Sequence, residues 1–374
     1  MTPIEQHIAE RLAGREQAGN LRQLRRPHAA SDFFSNDYLG IASSGLLDDL
    51  LKGCDTGTGS TGSRLLSGNS EAAEQLEDII AGFHKAEAAL LFNSGYDANM
   101  GLLTAISDRH SILIYDELCH ASLVDGIRLS QGTGYKFAHN DTAALKKKLE
   151  LAKDKGPKII VTESVFSMDG DIAPLKEMAE LADQYNAALI VDEAHATGVF
   201  GKKGEGLVNS MGLEDEVFAR VHTFGKAMGC HGAVVLGSVQ LKQFLVNFAR
   251  SFIYTTALPP HSISNITASY QYLSQPDFSN KGLHELIAYF RQKVKDSAME
   301  GWKDSNSPIQ ALVIGGNDSV KAAASALQNA GLQINAILHP TVPTGAERLR
   351  ICLHAFNTKE EIDKIFTTLS KLHA

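Results

Sequence analysis

Residues 188–195 read Ala188-Leu189-Ile190-Val191-Asp192-Glu193-Ala194-His195, and thirty-odd positions on the chain reads Thr223-Phe224-Gly225-Lys226. Four apolar residues in unbroken succession suit a strand covered on both faces rather than a half-exposed one, whose residues would alternate. Similar short runs recur at 89–92, 112–115, 158–162, 221–224 and 233–236. Longer stretches with helical spacing lie between them. Leu76, Ile79, Ile80 and Phe83 fall at i, i+3, i+4 and i+7 behind Ser70, a suitable N-cap. Leu175, Met178, Leu181 and Ala182 come after Pro174, which suits a first helical position. Strand and helix in alternation predict an α/β domain built on a mainly parallel central sheet.

Past Pro259-Pro260 the pattern changes to a long helical region and then a smaller α+β unit. There, Leu349, Ile351 and Leu353 alternate with Arg348, Arg350 and Cys352, which reads as a half-buried strand. Thr358-Lys359-Glu360-Glu361 spells a capping box, opening a helix with Ile362, Ile365, Phe366, Leu369 and Leu372 on one face. The division expected is an N-terminal segment 1–39, a large domain 40–272 and a small C-terminal domain 273–374.

Composition narrows the function classes. With 44% hydrophobic and 21% charged residues, the 374-residue chain has ordinary globular usage and enough length for a sizeable core. Its 35 basic against 43 acidic residues argue against a nucleic-acid-wrapping surface, while leaving room for a local basic pocket. Cys54, Cys119, Cys230 and Cys352 form no C-x-x-C pair, so a reducing compartment is expected. Residues 1–19 are polar, without the apolar stretch of a secretory signal, and no run reaches transmembrane length. The expected location is cytoplasmic. His7, His28, His84 and His110 lack metal-ligand spacing, and no metal is expected.

Two motifs point elsewhere and fail on context. Gly57-Thr58-Gly59-Ser60-Thr61-Gly62 fits G-x-G-x-x-G, but a dinucleotide site needs a strand before it, and residues 46–53 read as helix. Asp192-Glu193-Ala194-His195 spells a helicase box, yet the chain has no G-x-x-x-x-G-K-[ST] loop for a nucleotide phosphate.

The chemistry lies in the residues just past the apolar runs. Taken singly, Asp192 reads as a strand-end cap and Lys226 as a surface lysine. Lys226, however, stands among Phe224, Gly225, Ala227 and Met228, surroundings in which an amine loses its charge readily and can form a Schiff base. A lysine to hold an aldehyde, with a carboxylate to keep a pyridine nitrogen protonated, is what a pyridoxal phosphate site requires. Asn93-Ser94-Gly95-Tyr96, just past a strand, offers N–H groups at a helix start for the phosphate. Cys119-His120-Ala121-Ser122 offers an imidazole to cover the ring, with a helix-capping histidine as the alternative.

These motifs occur in an order that resembles the α-oxoamine synthases, pyridoxal-phosphate-dependent transferases of the aspartate aminotransferase-type fold (fold type I). The resemblance runs from Ser35-Asn36-Asp37-Tyr38-Leu39-Gly40 to Arg348-Leu349-Arg350. Between them it takes in Gly62-Ser63-Arg64-Leu65-Leu66-Ser67-Gly68, His120-Ala121-Ser122, Ser167-Met168-Asp169-Gly170-Asp171 and Thr341-Val342-Pro343. It implies that Lys226 carries the cofactor and then takes a Cα proton, that Asp192 pairs with the ring nitrogen, and that His120 stacks on the ring. It further implies that His195 and Ser167 meet the phenolic oxygen, and that Gly95, Tyr96 and Thr223 hold the phosphate, with Thr255 and Thr256 reaching across from a second subunit of a homodimer. Arg350 would clamp the amino-acid carboxylate. Arg22, Asn36 and Thr341 would line the acyl channel; for the Arg22 run a solvated basic helix face is the equal alternative. The reaction implied is decarboxylative condensation of an amino acid with an acyl thioester. Ser63-Arg64-Leu65-Leu66-Ser67-Gly68, Ala138-His139-Asn140-Asp141 and Met168-Asp169-Gly170-Asp171 resemble the member that uses L-alanine and pimeloyl-CoA, or a pimeloyl carrier protein, in biotin biosynthesis. The alternatives are a member taking glycine or serine with another acyl-CoA, a non-catalytic partner subunit, and a generic aminotransferase.

Overall fold

The computed structural model describes residues 1–24, 30–52 and 57–373, so Cys54, Arg25, Arg26, His28 and Gly53 lie outside it. The chain divides into two compact units, one of residues 36–167 and 172–282, the other of residues 1–35, 168–171 and 283–374.

The first unit is built on a sheet that has, among the described residues, seven strands. In spatial order they are Ala88–Phe92, Ala233–Gly237, Ala219–Thr223, Ala187–Asp192, Lys158–Glu163, Ile112–Asp116 and Thr133–Phe137. Ala233–Gly237 runs antiparallel to both neighbours and the other pairs are parallel. The continuous apolar runs are explained by burial on both faces. Leu90, Phe92, Val161, Ile190 and Val221 join one core with the helices Gly95–Ile106 and Ala121–Leu129. Their neighbours in the chain, Ala89, Leu91, Ile160, Leu189 and Val191, face cores on the other side.

Expected elements recur with local differences. Ser70 caps the helix Glu71–Phe83 through a bond from the Ala73 N–H. Pro174 is the N-cap of Leu175–Gln184 rather than its first residue. The run expected at 221–224 is the strand Ala219–Thr223: the Phe224 N–H still donates to the Gly232 carbonyl at 2.9 Å, but the Phe224 carbonyl turns to receive the Cys230 N–H at 2.7 Å. Thr133–Phe137 carries no apolar run, since it is an edge strand with four of its five residues exposed.

The second unit holds the antiparallel strands Ile309–Val313, Arg348–Cys352 and Asn335–Ile337, with the middle strand named second. The helices Asn317–Asn329 and Lys359–His373 belong to the same unit. The capping box forms at both ends: Thr358 N–H donates to Glu361 at 2.9 Å, and Glu361 N–H to Thr358 Oγ1 at 3.2 Å. Ile362, Ile365 and Leu369 are buried, whereas Leu372 near the helix end is exposed. The strand Arg348–Cys352 is not half-buried as its alternation predicts. Arg348 is buried too, because its guanidinium donates to Asp169 from the segment 168–171. Gly170 in that segment has φ +74°, and a Cβ there would meet the Ile309 carbonyl oxygen at 2.2 Å, so only glycine fits.

Candidate active site

The carboxyl ends of the parallel strands gather the polar residues of the first unit, the place where open α/β sheets bind ligands. The strand Ala88–Phe92 passes through Asn93 and Ser94 into the helix Gly95–Ile106. Ser94 caps that helix, its Oγ accepting the Asp97 N–H at 3.1 Å. The first N–H groups of a helix have no intrahelical acceptor and favour an anion. A Cβ on Gly95 would stand 2.5 Å from Thr223 Cγ2, so glycine is what lets the helix begin this close to Thr223. Thr223 is buried, and its Oγ1 has no hydrogen-bond partner. A buried orphan hydroxyl beside a helix N-terminus fits a phosphate. The Tyr96 hydroxyl donates to Asp125, a bond that raises the phenol pKa. Asn93 Nδ2 donates to Thr255 Oγ1 at 3.0 Å and to the Thr256 carbonyl at 2.7 Å, so these threonines border Asn93 of their own chain.

Asp192 ends its strand in register with Glu163 on the next. One Asp192 oxygen accepts the Ala194 N–H at 2.9 Å, the other Asn99 Nδ2 at 2.7 Å. Asn99 Nδ2 also donates to Ser122 Oγ at 2.9 Å, and that hydroxyl lies 2.8 Å from His120 Nδ1. Glu163 accepts the His120 N–H at 2.6 Å; burial, with Asp192 close by, pushes the Glu163 carboxyl well above the usual range. His120 is the N-cap of Ala121–Leu129, so the capping alternative read from the sequence holds while the residue also stands at the site. His120 is exposed, yet partial desolvation of its ring, with Asp192 pulling its pKa up and Lys226 pulling it down, leaves that pKa below 6.5.

His195 Nδ1 lies 2.8 Å from the hydroxyl of Tyr38, which is fully buried and also donates to Asn36 Oδ1 at 3.1 Å. Lys226 is half-buried in a tight turn whose neighbours Phe224, Ala227 and Met228 are buried, and its carbonyl accepts the Gly229 N–H at 2.9 Å. Ser167 closes the residues of this unit that precede segment 168–171. The structure thus places Gly95, Thr223, Asp192 and His120 on a few adjoining strand ends of one unit. Asn99, Ser122, Glu163 and Tyr38 are hydrogen-bonded to the candidate residues, and sequence reasoning does not single them out. Glu163 carries a readable signal, a carboxylate just after an apolar run, the same rule that selects Asp192.

Arg22, Thr341 and Arg350 belong to the other unit. Arg22 donates to Thr341 Oγ1 at 3.1 Å, so two of the expected acyl-channel residues are joined. Arg350, on the strand Arg348–Cys352, is partly buried and points one guanidinium nitrogen at Cys352 Sγ, 3.0 Å away.

Comparison with known proteins agrees with this geometry. The family model for aminotransferase class I and II matches residues 31–369. The chain belongs to that family. An 8-amino-7-oxononanoate synthase of Emericella nidulans is 43% identical over 98% of this chain and 95% of its own length. Among solved structures, an 8-amino-7-oxononanoate synthase from Francisella tularensis superposes with TM-score 0.78 at 29% identity, covering 92% of this chain and 98% of that one. A serine palmitoyltransferase from S. paucimobilis with a bound PLP–myriocin aldimine gives TM-score 0.87 at 25% identity, covering 99% and 98%. Within the family, the chain is thus an α-oxoamine synthase of fold type I, a pyridoxal-phosphate-dependent acyltransferase. The orphan Thr223 hydroxyl, the cradle at Gly95 and the braced Asp192 carboxylate fit that cofactor. Among the described residues, no group of three or more His, Cys, Asp or Glu is disposed to hold a metal ion, and no helix is long and apolar enough to cross a membrane.

Proposed function

We propose that the chain condenses L-alanine with a pimeloyl thioester, of coenzyme A or a carrier protein, releasing carbon dioxide and the free thiol and giving 8-amino-7-oxononanoate for biotin biosynthesis. The observation that carries the substrate assignment is the 43% identity, over nearly the full length of both chains, to a protein named for that product. The strand-end residues supply the chemistry.

Bound pyridoxal phosphate supplies an electron sink for the charge left when the alanine Cα loses its proton. Lys226 would hold the cofactor's aldehyde carbon at Nζ and, once released, take the Cα proton at the same atom. Asp192 would keep the pyridine nitrogen protonated, and the braces from Asn99 and Ala194 hold its two oxygens for that purpose. Thr223 and the N–H groups of Gly95 and Tyr96 would bind the phosphate, with Thr255 and Thr256 contributed from the second copy in a homodimer. His195 and Ser167 would meet the phenolic oxygen, and His120 would cover the ring. Arg350 would pair the alanine carboxylate through a charge-assisted contact. Arg22, Asn36 and Thr341 would line the acyl channel. The expected location of such an enzyme is the cytoplasm.

The experiment offers the purified holoenzyme L-alanine, glycine and L-serine in turn, each with pimeloyl-CoA and with acetyl-CoA, and monitors thiol release and product mass. The expected outcome is turnover with L-alanine and pimeloyl-CoA. Preference for glycine or serine, or for acetyl-CoA, contradicts the substrate assignment.

A further inference from the structure

The hydrogen bonds that join His120 to Asp192 have a direction, and the direction fixes a proton. The Asp192 carboxylate accepts only, so the Asn99 atom that faces it at 2.7 Å is the amide nitrogen. That nitrogen also lies 2.9 Å from Ser122 Oγ and can only donate there. With its oxygen accepting from Asn99, the Ser122 hydroxyl directs its own hydrogen at the remaining neighbour, His120 Nδ1, 2.8 Å away. A second donor points at the same nitrogen: the Ser122 backbone N–H, at 3.3 Å, which has no other role than to donate. A proton on Nδ1 would oppose both. It would also leave the Ser122 hydroxyl hydrogen, in a residue 1% exposed, without an acceptor.

We infer that Asn99 and Ser122 are positioning residues that lock His120 as a neutral imidazole with its proton on Nε2, tying the protonation state of that ring to the Asp192 carboxylate. The relay is carried by three elements. Asn99 stands on the helix Gly95–Ile106, Ser122 on Ala121–Leu129 and Asp192 at the end of Ala187–Asp192. The charged and titratable groups facing His120 are Asp192, Lys226, Asp125 and Glu163, the last through the backbone N–H of His120. Partial desolvation of the ring and Lys226 oppose the imidazolium, whereas Asp192 and Asp125 favour it. The relay adds a directional preference on the neutral side. Its purpose is plain on the reading that His120 covers the cofactor ring, on which this inference rests: a neutral imidazole does not repel a protonated pyridine, and an imidazolium does.

Nitrogen-edited NMR of the histidine side chains in the holoenzyme tests this, with His120→Gln identifying the His120 signals. Wild type is expected to show an unprotonated Nδ1 and a protonated Nε2 at pH 7. Ser122→Ala removes the hydroxyl donor, and the imidazolium fraction near pH 6.5 should rise about three- to tenfold, the size of one net hydrogen bond. Ser122→Thr, which restores a hydroxyl, should return the wild-type titration. A proton on Nδ1 in wild type, or an unchanged titration in Ser122→Ala, overturns the inference. The wild-type spectrum decides the tautomer even if the alanine variant fails to fold. The ring-covering reading is tested separately by adding pyridoxal phosphate to cofactor-free protein: His120 signals that do not move contradict that reading and leave the tautomer assignment standing.

Discussion

The strands that carry Asp192 and Thr223 carry a second buried polar cluster in the adjacent residues, and the two clusters differ in what they leave open. On one side stand Asp192, Thr223, Asn99 and Glu163. The neighbours Glu193 and His222 join Arg220, His84 and Tyr270 in the other cluster, also buried. In that second cluster the groups are spent on one another and on the backbone. Glu193 accepts the N–H groups of Leu207 and Val208 at 2.7 and 3.0 Å. Arg220 donates to Asn209 Oδ1 and to the His84 carbonyl, and His84 bridges the Glu205 carbonyl and the Tyr270 hydroxyl, both at 2.8 Å. The strand-end cluster instead keeps a buried hydroxyl at Thr223 and an amide oxygen at Asn99 without partners. A buried polar group that is satisfied ties the fold together, and one held unsatisfied at a strand end is available to a ligand. The second cluster has its own exception, His222 Nε2, which nothing in the structure explains.

The largest expected effect separates the clusters by activity. Lys226→Ala should lower condensation by about 10²–10⁴-fold, the size of a lost acid–base group, with the unfolding midpoint of the cofactor-free protein little changed. Steady-state thiol release and thermal unfolding measure the two, and retained turnover would remove Lys226 from the chemistry.

Arg220→Ala should do the reverse. Breaking a buried charged network costs about 3–5 kcal/mol, read from urea unfolding, while the cofactor content of the folded fraction stays at wild type. A smaller effect, in the opposite sense to that of Arg220, is expected at Thr223→Val. Deleting an orphan hydroxyl should leave stability unchanged or raise it by up to about 1 kcal/mol, and weaken pyridoxal phosphate binding about three- to tenfold. A loss of stability without a loss of affinity would mean that the hydroxyl is structural.

The second cluster also predicts a slope against pH. Burial raises the Glu193 pKa from about 4.5 to about 7, so the folded state binds a proton that the unfolded chain has released; this contribution favours low pH and is lost between about pH 4.5 and 7. Burial lowers His84 from 6.5 to about 3 and His222 well below 6.5, so their contributions are present above pH 6.5 and lost as pH falls toward 3. Two histidines outweigh one carboxyl, and stability should rise with pH between about 4.5 and 6.5. Glu193→Gln removes the opposing contribution, and its unfolding free energy should climb more steeply across that range.

The same comparison explains what is legible in the sequence. Apolar runs covered on both faces announce themselves, so the central strands and the polar residues that end them can be read directly. Thr133–Phe137 cannot, because an edge strand needs no apolar run. Asp192, Lys226 and His120 are readable as residue types that a cofactor demands. Asn99, Ser122 and Tyr38 act through hydrogen bonds between elements far apart in the chain, such as Tyr38 to His195, and no local pattern marks them. Glu193 and His222 escape a sequence reading because alternation along a strand gives adjacent residues opposite faces, and the sequence does not say which face is the site. Arg348 reads as a solvent-facing residue because its partner, Asp169, lies 179 positions away.

Reductive trapping bears most directly on the central claim, that the cofactor is carried by Lys226 at the ends of these strands. The holoenzyme is treated with borohydride, digested and mapped by mass spectrometry. One pyridoxyl phosphate label is expected, on the peptide containing Thr223-Phe224-Gly225-Lys226 and absent from Lys226→Ala. A label on another lysine, or none on protein that has bound pyridoxal phosphate, would contradict it.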